Sequence, residues 1–169
     1  NNTALGYEAM RFATSTDENT AIGYQALRMN SGATANNSGG GNTAVGNSAL
    51  TANTSGSFNT ALGNSALFVN TIGTSNTALG DSTLFSNTSG SSNTAIGQDT
   101  LFNNISGNFN TAIGYQAGSN VTTGYDNIFL GHDENVGGDA ITTGGNNIGM
   151  GYNIKFPSIS TNNMLNIGN

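Results

Sequence analysis

The sequence has no cysteine, no tryptophan, a single proline, and only three basic and nine acidic residues in 169. Each shortage excludes something. Without cysteine there is neither a disulfide scaffold nor a thiolate metal site. Three basic residues, Arg11, Arg28 and Lys155, are too few to neutralise a phosphate backbone, so nucleic acid is not an expected partner. No run approaches 18 apolar residues, and no membrane-inserted segment is expected. Charged residues make up 7%, against about 25% in an ordinary globular domain. A net charge of −6 is too small to expand a coil by self-repulsion. Leu, Ile, Val and Phe together are just under a fifth of the chain. Read by composition alone, that resembles a chain that buries too little to offset its ordering entropy.

What is present reverses that reading. Asn, Gly, Thr and Ser make up more than half of the residues, and they are periodic. The unit Asn-Thr-Ala-apolar-Gly recurs, intact in the first seven copies and degraded in the last three, with its glycine at Gly6, Gly23, Gly46, Gly63, Gly80, Gly97, Gly114, Gly131, Gly151 and Gly168. The spacing is 17 residues except for one step of 23 and one of 20. These two exceptions read as loop insertions at 30–41 and 135–145. Residues 1–118 are expected to form regular coils. Residues 119–169 are expected to continue the same domain as irregular ones. The chain begins inside a motif, Asn2-Thr3-Ala4-Leu5-Gly6, and reads as a piece of a longer protein.

Counting the Asn as position one, each unit has turn-forming residues at both ends and space for a strand of only a few residues. Seventeen residues cannot hold a helix pair. The expected fold is all-β, a parallel β-solenoid of about ten coils, forming a rod about 45–50 Å long. Position four is always apolar: Leu5, Ile22, Val45, Leu62, Leu79, Ile96, Ile113, Leu130, Met150 and Ile167. Position nine carries Met10, Leu27, Leu50, Leu67, Leu84 and Leu101. Both columns are expected to line a thin core. Asn19, Asn42, Asn59, Asn76, Asn93 and Asn110 should form a structural ladder with Gly23, Gly46, Gly63, Gly80, Gly97 and Gly114, because stacked amides bond from rung to rung. The Ala of position three should mark close backbone approach. About two large apolar residues per coil bury little surface against the ordering entropy of the backbone. Packing against identical chains is therefore expected.

The segments Asn19-Thr-Ala-Ile-Gly-Tyr-Gln-Ala-Leu27 and Asn110-Thr-Ala-Ile-Gly-Tyr-Gln-Ala117 resemble head repeats of YadA-like trimeric autotransporter adhesins. They resemble still more the related repeats of phage tail fibres. Asn163-Met-Leu-Asn-Ile-Gly168 resembles the segment that precedes an intramolecular chaperone in such fibres. The resemblance covers nearly the whole chain. It implies a left-handed β-roll, a homotrimer, a location on a cell or virion surface or outside the cell, and a role in surface recognition. The period of 17 rather than about 14, and Thr where the adhesin motif has Val, set this chain apart from the adhesin head. Collagen-type binding is not carried over.

No catalytic constellation stands out, and neither an enzyme activity nor a cofactor is expected. His132 precedes Asp133 and Glu134, with Asp126 and Asp139 nearby. One histidine without a spaced carboxylate pair makes a weak site, and the spacing fits no calcium loop. Gly39-Gly40-Gly41 lacks the lysine of a phosphate loop. Sequons begin at Asn1, Asn36, Asn53, Asn87, Asn104 and Asn120, as expected by chance in so Asn-rich a chain, and no glycan is assigned. Aromatics also keep register. Phe68, Phe85 and Phe102 share position ten, and Phe58 and Phe109 share position seventeen. Tyr7, Tyr24, Tyr115 and Tyr152 share position six. The Phe column reads as packing. Tyr7, Tyr24, Tyr115, Tyr125 and His132 are the candidate ligand-binding residues, because a hydroxyl tolerates exposure and a ring stacks on sugars. The expected function is an adhesive fibre segment that meets a cell-surface glycan or protein receptor. A passive shaft and an ice-binding solenoid are the alternatives.

Overall fold

A computed structural model describes residues 1–13, 17–29, 39–132, 142–154, 156, 160 and 162–168. Ten three-residue strands form one sheet: β1 (Thr3–Leu5), β2 (Thr20–Ile22), β3 (Thr43–Val45), β4 (Thr60–Leu62), β5 (Thr77–Leu79), β6 (Thr94–Ile96), β7 (Thr111–Ile113), β8 (Ile128–Leu130), β9 (Ile148–Met150) and β10 (Leu165–Ile167). All neighbours are parallel and the spatial order is the chain order. Equal repeat positions pair throughout, as in Thr60↔Thr77, Ala61↔Ala78 and Leu62↔Leu79. A chain whose successive coils stack in this way is a β-solenoid. Register survives both long steps, since Thr20 pairs with Thr43 and Ile128 with Ile148. Neither longer step shifts the strand register. Residues 30–38 and 135–141, most of both insertions, lie outside the described residues, as do Asp133, Glu134 and Asp139.

The core differs from the expectation at position four. Leu5, Ile22, Leu62, Leu79 and Ile113 are exposed, and Val45, Ile96 and Leu130 are half-buried. Side chains alternate across a strand, so positions two and four share one side and position three takes the other. The interior side is the alanine's: Ala21, Ala44, Ala61, Ala78, Ala95 and Ala112 are fully buried. They pack in one cluster with Leu27, Leu50, Leu67, Leu84 and Leu101 from position nine, which do line the core as expected. Position eight supplies Ala26, Ala49, Ala66 and Ala117 to the same cluster. With leucine opposite, the strand side has room for a methyl only. Where position eight is Thr, the buried hydroxyl donates to a carbonyl of the next coil: Thr83 Oγ1 to Gly97 O at 2.7 Å and Thr100 Oγ1 to Gly114 O at 2.6 Å.

Position nine is never β-branched, and the backbone explains this. Met10, Leu27, Leu50, Leu67, Leu84 and Leu101 have φ between +49° and +52°, a left-handed conformation that β-branched residues resist. The glycine of position five lies near φ +135°, and a Cβ there would fall on the carbonyl of the glycine one coil on. Only glycine fits both demands.

The core changes hands after Leu101. Gly118 takes position nine, and Phe129 replaces the alanine of position three in the following coil. A Cβ on Gly118 would lie 2.8 Å from the Phe129 ring. Gly149 then makes room for Phe156, whose ring meets Phe129 edge-on at 6.3 Å. The irregular C-terminal coils thus swap small and large residues across the core while the sheet continues.

Two buried asparagine ladders close each coil. At position one, the Oδ1 of each Asn accepts from the backbone N–H of the next coil's Asn, as in Asn76 N to Asn59 Oδ1 at 3.0 Å and Asn93 N to Asn76 Oδ1 at 3.0 Å. Its Nδ2 donates to the position-fifteen carbonyl of its own coil, as in Asn76 to Gly90 O at 2.8 Å. At position twelve, Asn87 Nδ2 donates to the same Gly90 carbonyl at 2.9 Å and to Asn70 Oδ1 at 2.7 Å. One glycine carbonyl per coil therefore ties both ladders together. The first ladder runs unbroken from Asn2 to Asn147 and ends on the Met164 N–H. The second stops where Val121 takes position twelve, leaving the buried Asn104 Oδ1 without a partner. The sequons at Asn53, Asn87 and Asn104 are fully buried in this ladder, which closes them to modification in the folded chain.

Candidate functional site

Outward chemistry is organised by column, because each repeat position puts its side chain one coil above the last. Position six holds four of the five candidate ligand residues. Tyr7 and Tyr24 stack at 5.5 Å between ring centres, 13° from parallel. At the far end His132 stands edge-on between Tyr115, at 5.1 Å, and Tyr152, at 5.3 Å. Between the two aromatic groups the column is polar, with Asn64 Nδ2 donating to Asp81 Oδ1 at 2.8 Å. The tyrosines are exposed and His132 is half-buried. Tyr125 stands apart at position sixteen, its ring against Gly145. The structure thus gathers Tyr115 and His132, pairs Tyr7 with Tyr24, and leaves Tyr125 separate. Among the described residues, no group of three His, Cys, Asp or Glu is placed to hold a metal ion.

A second aromatic column occupies position ten. Phe68, Phe85 and Phe102 stack face to face at 5.1 Å, within 7° of parallel. All three are half-buried, so the packing expected of them is partial. The stack ends at Phe102, since position ten of the next coil is Ser119. There a groove of about 210 Å³ opens, lined by Asp99, Phe102, Asn103, Gln116, Ser119 and Asn120. The sequence reading passed over it. Its signal was a column of three phenylalanines that halts at a serine.

The first coil carries a charged cluster that was also missed. Glu8 accepts from Arg28 Nε at 2.7 Å and from Gln25 Nε2 at 3.0 Å, and is ion-paired with Arg11. Both guanidiniums lie over the Phe12 ring, at 5.0 and 5.1 Å from its centre. Desolvation pushes the Glu8 carboxyl up, but the hydrogen bonds from Gln25 and Arg28 and the charges of Arg11 and Arg28 outweigh it, so the net shift is downward. Two of the three basic residues are spent on this one carboxylate.

Comparison of the chain with protein-family models, with curated proteins and with solved structures found no match. A further outward feature is the sheet face. Along it the apolar residue of position four runs from Leu5 to Ile167, the two ends being 67% and 68% exposed, beside Thr of position two in β1–β7 and beside Ile128, Ile148 and Leu165 in β8–β10. Leu62 is 45% and Ile113 is 42% exposed in the middle of the row. Among the described residues this row repeats an outward apolar side chain along the sheet, half-buried at Val45, Ile96 and Leu130.

Proposed function

We propose that this chain is the adhesive segment of a fibre on a cell or virion surface, in which three copies pack side by side along their sheet faces. The row of position-four residues carries this reading. It places apolar side chains on the sheet face at every coil, where water contact is unfavourable, beside small threonines in β1–β7 that allow close approach. The resemblance of the Asn-Thr-Ala-Ile-Gly repeats to adhesin heads and tail fibres points the same way. With the sheet faces turned inward, the remaining surface is a carpet of Asn, Ser and Thr with aromatic columns at positions six and ten. Such a surface suits many weak hydrogen bonds to a glycan or protein receptor.

Two measurements test the reading. Sedimentation equilibrium should give three times the chain mass of 17.1 kDa, and a stable monomer overturns the side-by-side packing. Labelled protein on glycan arrays and on cells should bind a subset of surfaces. Binding to none of them overturns adhesion and leaves a passive shaft.

A further inference from the structure

The groove at the end of the phenylalanine stack is set apart by three columns that change together. In the coils below, position seven is Ser65 and Ser82 and position eleven is Val69 and Ser86. Beside the groove, position seven becomes Asp99 and Gln116, and position eleven becomes Asn103 and Asn120. Long polar side chains therefore surround the one place where the next ring of the stack is missing. The opposite end of the stack makes a useful contrast. There Thr51 takes position ten, its neighbours are Ser48 and Ala52, and its hydroxyl donates to the Gln25 carbonyl at 3.1 Å. At positions seven and eleven that end carries only the short side chains Ser48, Ser65, Ala52 and Val69.

The rim is positioned by the backbone. Asp99 and Gln116 sit at φ +53° and +56°, in the same left-handed turn one coil apart. Their amides donate to Asp81 O at 3.0 Å and to Gln98 O at 2.9 Å. Asn103 Nδ2 donates to the Ser119 carbonyl at 3.0 Å, which fixes that amide on the wall and leaves its Oδ1 as an acceptor. Asp99 Oδ2 accepts from Gln98 Nε2 at 3.3 Å. The groove thus offers an aromatic face, a carboxylate and primary amides, and no cation.

We propose that this groove is a subsite for one pyranose ring of a glycan. The ring's C–H face stacks on Phe102 in the place a further phenylalanine would take, and its hydroxyls bond to Asp99, Gln116 and Asn103. An aromatic platform with a few convergent polar groups is the general make-up of a specific ligand pocket. The stack's own spacing of 5.1 Å per ring shows that one coil height accommodates one ring. The chemistry also selects. Asp99 lines the site, and no arginine or lysine does, in a chain of net charge −6. Neutral sugars fit, whereas phosphorylated, sulfated or acidic sugars are repelled. This inference rests on the adhesive reading and gives that reading a ligand class.

The test is saturation-transfer NMR on the whole chain with a panel of methyl pyranosides of glucose, galactose, mannose and N-acetylglucosamine, and with methyl glucuronide as the acidic probe. At least one neutral pyranoside should receive saturation, strongest on the protons of one ring face, and the glucuronide should not. Ser119→Phe extends the stack into the groove and should abolish the transfer without lowering the melting temperature. Should Ser119→Phe fail to fold, the double variant Asp99→Ser, Gln116→Ser restores the residues that the lower coils carry at position seven. It should weaken binding about tenfold or more through lost hydrogen bonds. Transfer to none of the neutral pyranosides overturns the proposal, and so does transfer that persists in a folded Ser119→Phe. The two readings fail separately. A wild type that adheres to cells but takes up none of the neutral pyranosides overturns the subsite alone. A wild type that takes up a pyranoside but adheres to no surface overturns the adhesive role alone.

Discussion

At the scale of the residue, two positions do most to define the fold, and neither is large. The buried asparagines of position one each satisfy groups in three places: the coil before, the coil after and their own glycine carbonyl. Asn76→Ala would strip the buried Asn93 N–H of its acceptor, leave Asn93 Nδ2 with Gly107 O alone, and take a donor from Asn59 Oδ1. Each unsatisfied buried group costs about 1–3 kcal/mol, so a loss of about 3 kcal/mol or more is expected from urea unfolding. Asn64→Ala, at an exposed position, should stay within about 0.5 kcal/mol. Position nine makes a sharper case because the volume is held constant. Leu84 is fully buried at φ +51°. Leu84→Met should cost less than about 1.5 kcal/mol. Leu84→Ile should cost about 1–2 kcal/mol beyond that, because branching at Cβ conflicts with the left-handed backbone. Equal melting temperatures for the two variants would contradict this account. The sequence displayed the leucine preference plainly. It did not display the reason, since φ cannot be read from hydrophobicity.

At the scale of the element, the repeat was legible in outline and misread in one parity. The period of 17, the strand at Thr-Ala-apolar and the asparagine ladder all follow from spacing and turn chemistry. A three-residue strand, however, offers two sides, and the pattern of Thr, Ala and Leu does not say which faces inward. Size pointed to Leu62 and its equivalents, but the alanine of position three lies inside because Leu67 and Ala66 already occupy the interior. The groove beside Phe102 was hidden for a related reason. It depends on an absent ring at Ser119, and a gap is visible only once columns are stacked. The charged cluster of the first coil makes a prediction at this scale. The Glu8 carboxyl is held below its ordinary value. A lowered folded-state pKa contributes stability that is present above the unfolded value and is lost as pH falls through the folded value. Amide exchange at Met10 and Phe12, which donate to Ala26 and Arg28 of the second coil, should therefore speed up as pH drops below the ordinary carboxylate range, after correction for intrinsic rates. Glu8→Gln should show the faster exchange already at neutral pH and lose the pH dependence.

At the scale of the whole molecule, the question is where a rod with so thin a core finds further burial. Among the described residues, the large buried apolar side chains are the leucines of position nine, Val121, Phe129 and Phe156. The aliphatic residues that a globular domain would bury stand outside on the sheet face instead. Turning that face toward identical neighbours would give each coil a second apolar contact, repeated at every rung from β1 to β10. Because the row is exposed in the single chain, charge introduced there should act on assembly before it acts on folding. The double variant Leu62→Asp, Leu79→Asp is expected to shift the sedimentation profile from a trimer to a single chain of 17.1 kDa, with the β-sheet circular dichroism signal retained at low temperature. Asn64→Asp, which adds one negative charge on the position-six column, should leave the mass unchanged. Leu84→Asp, which places the charge in the interior, should abolish folding altogether. A double variant at Leu62 and Leu79 that sediments as the wild type does would place the inter-chain contact on another face, and the tyrosine column of position six would then be the next surface to charge.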